Sequence, residues 1–322
     1  MILSISIGYD KKTAVNNKPP LKEDSISLSK VINPSQSTRA NRLNTASHNL
    51  LLLDTISDLI QKMHEHEIQV MLLKGAALLE NIYPDISQRK MEDVDILVKP
   101  EKLIRTREIL EEAGYRFYGT NQANSEVYTF DTSIKVYLDL HWSLVNQYSP
   151  SQKHVYWPDE NLIWERAINI KLGQQTVLGM SMEDLLVYLC FHALKERFLH
   201  KKWLMDIKII LSSKKEEIDW DKFSILARDS GTDKLCSFIM EYLKKECGVD
   251  IPAVLSQIRK KHFFFSLEEK IFHFSMDNPM FMKELLWPLA MNSKRKQLVF
   301  FKNLPLYVWK KASGRIFIRY RK

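Results

Sequence analysis

Residues 68–98 read IQVMLLKGAALLENIYPDISQRKMEDVDILV, and the fold turns on this stretch. Ile68–Leu73 is short, apolar and partly β-branched, so it predicts a buried strand. Lys74-Gly75 ends that strand. Ala76–Ile82 then predicts a short helix, stopped ahead of Pro84. The polar loop DISQRKME follows, and Val94–Val98 predicts a second buried strand. Asp93 and Asp95 are two apart on an extended chain, so both carboxylates point to one face. Val94, Ile96 and Val98 point to the other, into a core.

The pattern extends in both directions. Upstream, Leu52, Ile56, Leu59, Ile60 and Met63 recur at helical spacing and predict a helix over 48–66. Residues 1–44 carry Pro19-Pro20, Pro34 and many polar residues, which predicts a loosely ordered arm. Downstream, Pro100 and Gly114 bracket a helix. Tyr115–Tyr118 and Val127–Phe130 predict strands. Ile134–Trp142 alternates cleanly: Ile134, Val136, Leu138, Leu140 and Trp142 share one face, and Lys135, Tyr137, Asp139 and His141 the other. A connector over 151–180 holds a short strand near 176–178. From Ser181 the period becomes helical, with a capping-box-like start at Ser181 and Asp184. Helices are predicted over 182–212, 219–230, 233–247 and from 267 on. The expected class is α+β: a small mixed-sheet domain with helices (45–150), the connector, a helical domain (181–275) and a basic, aromatic C-terminal segment (276–322).

Asp93, Asp95 and Asp139 come from two strands and lie opposite apolar faces. Like charges that close repel unless a cation sits between them. Carboxylate oxygens suit Mg²⁺ or Mn²⁺, and three of them can hold two such ions for in-line phosphoryl displacement. Asp93 and Asp95 would bridge both ions, and Asp139 would hold the one that activates an acceptor hydroxyl. Lys74-Gly75, where a strand runs into a helix, offers backbone N–H groups and a cation to a triphosphate. Arg89, four residues before Asp93, is placed to reach phosphate or base. His141 shares the face of Asp139 and is a supporting partner or a structural histidine. His192, Glu196 and His200 follow at i, i+4 and i+8, a metal-binding stripe or an ordinary helix face.

These motifs resemble a known family. VMLLKGAALLENIYP (70–84), the RKMEDVDILV run (89–98) and VYLDLHWSL (136–144) are similar to a nucleotidyltransferase family of the DNA polymerase β-like superfamily. MEDLLVYLCFHALKERFLHKKWLMD (182–206), IDWDKFSILARDSG and the GVDIP turn are similar to its helical part, so the resemblance spans about 45–255. It implies transfer of a nucleoside monophosphate from an NTP to an acceptor. By motif match it implies metal ligands at Asp93, Asp95 and Asp139 and a phosphate-side loop at Lys74 and Gly75. Two positions depart from the pattern. Ala76 stands where a serine usually follows the glycine, and Glu196 stands where a second histidine usually occurs. The missing hydroxyl favours an alternative, a non-catalytic module that binds a nucleotide or a partner. The three retained carboxylates oppose it. The acceptor classes left open are a small molecule, a peptide, a protein side chain and an RNA end.

The net charge of +8 resides in the tail. Lys294–Lys322 holds ten basic residues and no acidic one, while the rest of the chain has slightly more acidic than basic groups. Interleaved Phe, Leu, Tyr and Trp give that segment three readings: an anionic membrane surface, a polyanion, or a packed helix with a solvated basic rim. Cys190, Cys236 and Cys247 show neither paired metal spacing nor a disulfide framework. With no secretory pattern and no spanning-length apolar run, a cytoplasmic protein is expected.

Overall fold

A computed structural model describes residues 39–120, 124–146, 149–251, 265–277 and 286–302. Its centre is a seven-stranded mixed sheet: β1 (Met71–Leu73), β2 (Val94–Leu97), β3 (Arg116–Thr120), β4 (Ser125–Asp131), β5 (Lys135–His141), β6 (Ile168–Leu172) and β7 (Gln175–Gly179), in spatial order β3-β4-β5-β2-β1-β7-β6. β2 and β5 run parallel, as do β1 and β7; β1 is antiparallel to β2. The connector therefore supplies two strands that extend the sheet beyond β1. Its β6 is not among the predicted strands: Ile168, Ile170 and Leu172 alternate with Asn169 and Lys171, but the run is short and only Leu172 is buried.

The alternation of β2 and β5 separates two cores. Val94 and Ile96 join Val136, Leu138 and Leu140 on one face, under α1 (Arg39–Glu65) and α3 (Leu103–Glu112). Leu73 and Leu97 project to the opposite face. There they meet α6 (Met182–Lys195), α7 (Lys202–Ser213), α8 (Trp220–Ser230), α9 (Asp233–Cys247) and α10 (Phe265–Asp277), which share one apolar core with the sheet. The short helices α2 (Lys74–Leu79), α4 (Pro150–Val155) and α5 (Glu160–Glu165) complete the fold. Among the described residues no helix is long and apolar enough to cross a membrane.

Two boundaries differ from the sequence expectation. α1 begins at Arg39, so residues 39–44 of the expected arm are helical; residues 1–38 lie outside the described residues. Its first turns are largely exposed and have no apolar stripe to reveal them. The helix expected over 182–212 is broken. α6 ends at Lys195, Arg197 and Phe198 adopt φ near +55° and +53°, and the Phe198 N–H bonds Ala193 O at 2.9 Å. That turn drives Phe198 into the core, edge-on to Phe272 at 5.6 Å. His200 consequently leaves the helix of His192, and the three-residue metal stripe does not form. Of the C-terminal segment, residues 286–290 and 294–302 are helical; 303–322 lie outside the described residues.

α1 also fixes the loop that leads into β2. The fully buried Asn49 donates Nδ2 to Ile86 O (2.7 Å) and Arg89 O (2.8 Å), and its Oδ1 accepts from Met91 N (3.0 Å). Asn49→Leu would remove the partner of three backbone groups, two of them buried. It is expected to lower unfolding free energy by roughly 3 kcal/mol in urea titration, at about 1–3 kcal/mol per orphaned group with partial relaxation.

Candidate active site

The register of two parallel strands builds the site. Asp95 pairs with Asp139 and Leu97 with His141, so adjacent strands present Asp95, Asp139 and His141 on one face. All three are buried, and each offers a ligand atom within 4.8 Å of the others. Across β1 the register places Leu73 against Asp95, which brings Lys74, the next residue, to the same carboxylate. Lys74 Nζ donates to Asp95 Oδ1 at 2.5 Å, and His141 Nε2 lies 3.1 Å from the same oxygen.

Asp93 stands just ahead of β2, half-buried, at the parity that shares the face of Asp95. It also acts electrostatically on Arg89. The cluster within 4.8 Å thus contains His141 with Asp95 and Asp139, and Asp93 is not among its members.

The electrostatics follow from burial and pairing. Burial alone would raise the Asp95 carboxyl, but the Lys74 ammonium and the His141 hydrogen bond hold it well below the usual carboxylate range. Burial works against the Lys74 charge, yet Asp95 keeps its ammonium above the ordinary lysine range. Burial pulls His141 down, against the opposing hydrogen bond to Asp95. Lys195, in the last turn of α6, is lowered by burial and then by Lys74, with Asp95 and Asp139 opposing. It is a second basic group within electrostatic reach of the same carboxylates. No sequence signal marked it, since a lysine at a helix end ordinarily faces solvent.

Arg89 is committed elsewhere in this structure. Its Nε and Nη2 donate to the two oxygens of Asp206 at 2.7 and 3.0 Å, and Tyr83 Oη donates to Asp206 Oδ1 at 2.6 Å. Its guanidinium lies over the Trp203 ring. A Cβ on Gly75 would come within 2.4 Å of Arg89 Nη1, so the bare glycine admits the guanidinium against the Lys74-Gly75 turn. Asp206 is thereby the link from α7 to that turn.

α6 forms the opposite wall. His192 is buried, packs edge-on against Trp203 at 4.3 Å, and has no hydrogen-bond partner among the described residues at either ring nitrogen. Burial first, and Lys74 second, push it well below the ordinary histidine value. The folded state therefore binds fewer protons than the unfolded chain once the pH falls below about 6.5, and stability drops with pH there. His192 is expected to contribute a slope of about 1.4 kcal/mol per pH unit. His192→Phe, which keeps the edge-on packing, is expected to flatten urea-unfolding free energies between about pH 6.5 and 5 by that share.

Residues 24–247 match the family described as uncharacterised nucleotidyltransferase. The chain belongs to this family. The resemblance drawn from the 70–98 and 136–144 motifs is borne out, as is the α+β class. Among curated proteins no sequence matches. Three solved structures are similar. The antibiotic-resistance factor ANT(2'')-Ia in solution is 12% identical, with a TM-score of 0.40 over 56% of this chain and 91% of that one. The same factor in complex with adenylyl-2''-tobramycin is 13% identical, with a TM-score of 0.39 over 55% and 95%. An antigenic nucleotidyltransferase-like protein from Paracoccidioides brasiliensis is 17% identical, with a TM-score of 0.41 over 65% and 92%.

Proposed function

We propose that this nucleotidyltransferase moves a nucleoside monophosphate from an NTP, ATP included, to a hydroxyl of a small-molecule, peptide or protein acceptor. The centre is Asp95 and Asp139 with Asp93, supported by His141. One observation carries the reading: the β2–β5 register sets two buried carboxylates side by side on the face turned toward the helical wall. Such a pair requires a cation. The hard carboxylate oxygens of Asp95 and Asp139, with Asp93, fit Mg²⁺ or Mn²⁺. When bound, the ion neutralises triphosphate charge and lowers the pKa of an acceptor hydroxyl.

The chain's own residues supply the remainder. His141 holds the Asp95 oxygen in place. Lys74 and Lys195 set positive charge where the triphosphate must lie. Arg89 acts on the nucleotide through the turn it supports. The acceptor oxygen bonds to the α-phosphorus as the bond to the β-phosphate oxygen breaks. Pyrophosphate leaves, and the hydroxyl proton passes to water.

Calorimetric titration of NTP, with and without Mn²⁺, on wild type and Asp139→Asn tests this. Binding that needs the metal and is lost in the variant is expected. Equal binding by both proteins would end the assignment. Ala76 favours the alternative of a non-catalytic module, which predicts metal-dependent nucleotide binding without pyrophosphate release.

A further inference from the structure

We propose that Lys74 is a specificity-determining residue, which closes the centre to a bare divalent ion and admits the ion together with a nucleoside triphosphate. The proposal rests on the reading above. In this structure the cation that the paired carboxylates require is the Lys74 ammonium itself. Its Nζ lies 2.5 Å from Asp95 Oδ1, an oxygen that His141 Nε2 also approaches at 3.1 Å. Lys74 and Asp95 are each only 5% exposed.

The aim of Lys74 is set by its backbone. Lys74 has φ near +48°, a conformation that L residues rarely adopt and that persists only where the surroundings enforce it. Leu73 and Ala76, each 1% exposed, anchor the turn on both sides. The guanidinium of Arg89 fills the space at Gly75. The side chain is thus delivered to Asp95 by a packed turn.

A bare ion that takes Asp95 must displace this ammonium. Lys74 would then be a buried cation beside a second cation, the two sharing the charges of Asp95 and Asp139, and a buried charge that loses a partner of its own is strongly unfavourable. A triphosphate changes the balance, because it brings anionic oxygens of its own. Lys74 passes from carboxylate to phosphate, and each charge keeps a partner. Metal and nucleotide therefore favour each other's binding, and by linkage the coupling is reciprocal. The centre takes a metal only with the substrate that the metal serves.

The test follows Mn²⁺ binding by electron paramagnetic resonance, with and without α,β-methylene-ATP, on wild type, Lys74→Met, Lys74→Gln and Lys74→Arg. Comparison between proteins cancels the affinity of Mn²⁺ for the nucleotide in solution. Met and Gln are expected to bind Mn²⁺ alone about tenfold more tightly than wild type, and to lose about tenfold of the metal–nucleotide coupling. Arg, which keeps the cation, is expected to restore exclusion of the bare ion. Equal Mn²⁺ affinity and equal coupling in wild type, Met and Gln would overturn the proposal. Crystals of the wild type soaked in Mn²⁺ alone provide a check that needs no variant. No anomalous peak is expected between Asp95 and Asp139, and a peak there with Lys74 still on Asp95 would also overturn it. If wild type binds no Mn²⁺–nucleotide and Asp139→Asn changes nothing, it is the underlying reading that has failed.

Discussion

Asp139→Asn is expected to reduce metal-dependent pyrophosphate release from NTP by at least about 10³-fold while the protein stays folded. The substitution conserves shape and removes one charge. It takes an anionic oxygen from the cluster where β2 and β5 meet. It leaves the Lys74–Asp95 pair intact, which is why Asp139 isolates chemistry from stability. Two neighbouring buried carboxylates repel, so the unfolding midpoint of the metal-free variant is expected to equal or exceed that of wild type. Asp95→Asn is the contrasting case. It deprives a buried ammonium of its partner, and a loss of about 3–5 kcal/mol is expected along with the loss of activity. Retention of full turnover by a folded Asp139→Asn would mean that the reacting phosphate lies elsewhere.

The parts of this molecule legible in the sequence are those with a local period or motif. β2 and β5 announced themselves because Val94–Ile96 and Val136–Leu138–Leu140 had to be buried. The D-x-D spacing and the alternation of β5 then gave the face on which the acids lie. What no local pattern encodes is the register. Only the parallel pairing of β2 with β5 decides that Asp95 meets Asp139 and that His141 joins them, while Asp93, ahead of β2, is not part of that cluster. The break after Lys195 was hidden for a different reason. KERFLHKK contains neither Gly nor Pro, and the turn is enforced by Phe198 docking on Phe272, a contact 74 residues away in the chain. Asn49 was equally silent, since its partners are three backbone groups of a remote loop. Lys74 was legible as a cation near phosphate. Its place on Asp95 depends on the β1–β2 register.

The least legible feature carries the second large effect. Arg89 and Asp206 are 117 residues apart, and both are buried. Removing either leaves the other stranded, but the two losses are expected to differ. A guanidinium cannot shed its proton within a protein, whereas a carboxyl can accept one. Asp206→Ala therefore strands an obligate buried cation, and a loss of roughly 3–5 kcal/mol is expected. Arg89→Met leaves Asp206 with the Tyr83 hydroxyl, and protonation offers the stranded acid an escape. Its deficit is expected to be smaller and to shrink as the pH is lowered toward about 5, whereas that of Asp206→Ala does not shrink. Urea unfolding at two pH values reads both. Equal, pH-independent deficits would show that the charge of the pair is not what is being measured. The functional counterpart follows from Gly75. Because Arg89 Nη1 occupies the space of the missing Cβ, the clamp from α7 ends on the turn that aims Lys74. Gly75→Ala forces the guanidinium away and is expected to weaken metal–nucleotide binding in the wild-type background by about tenfold. In the Arg89→Met background, where no guanidinium remains to displace, the same substitution is expected to have little further effect. The two residues would then act through one element, as the contact requires.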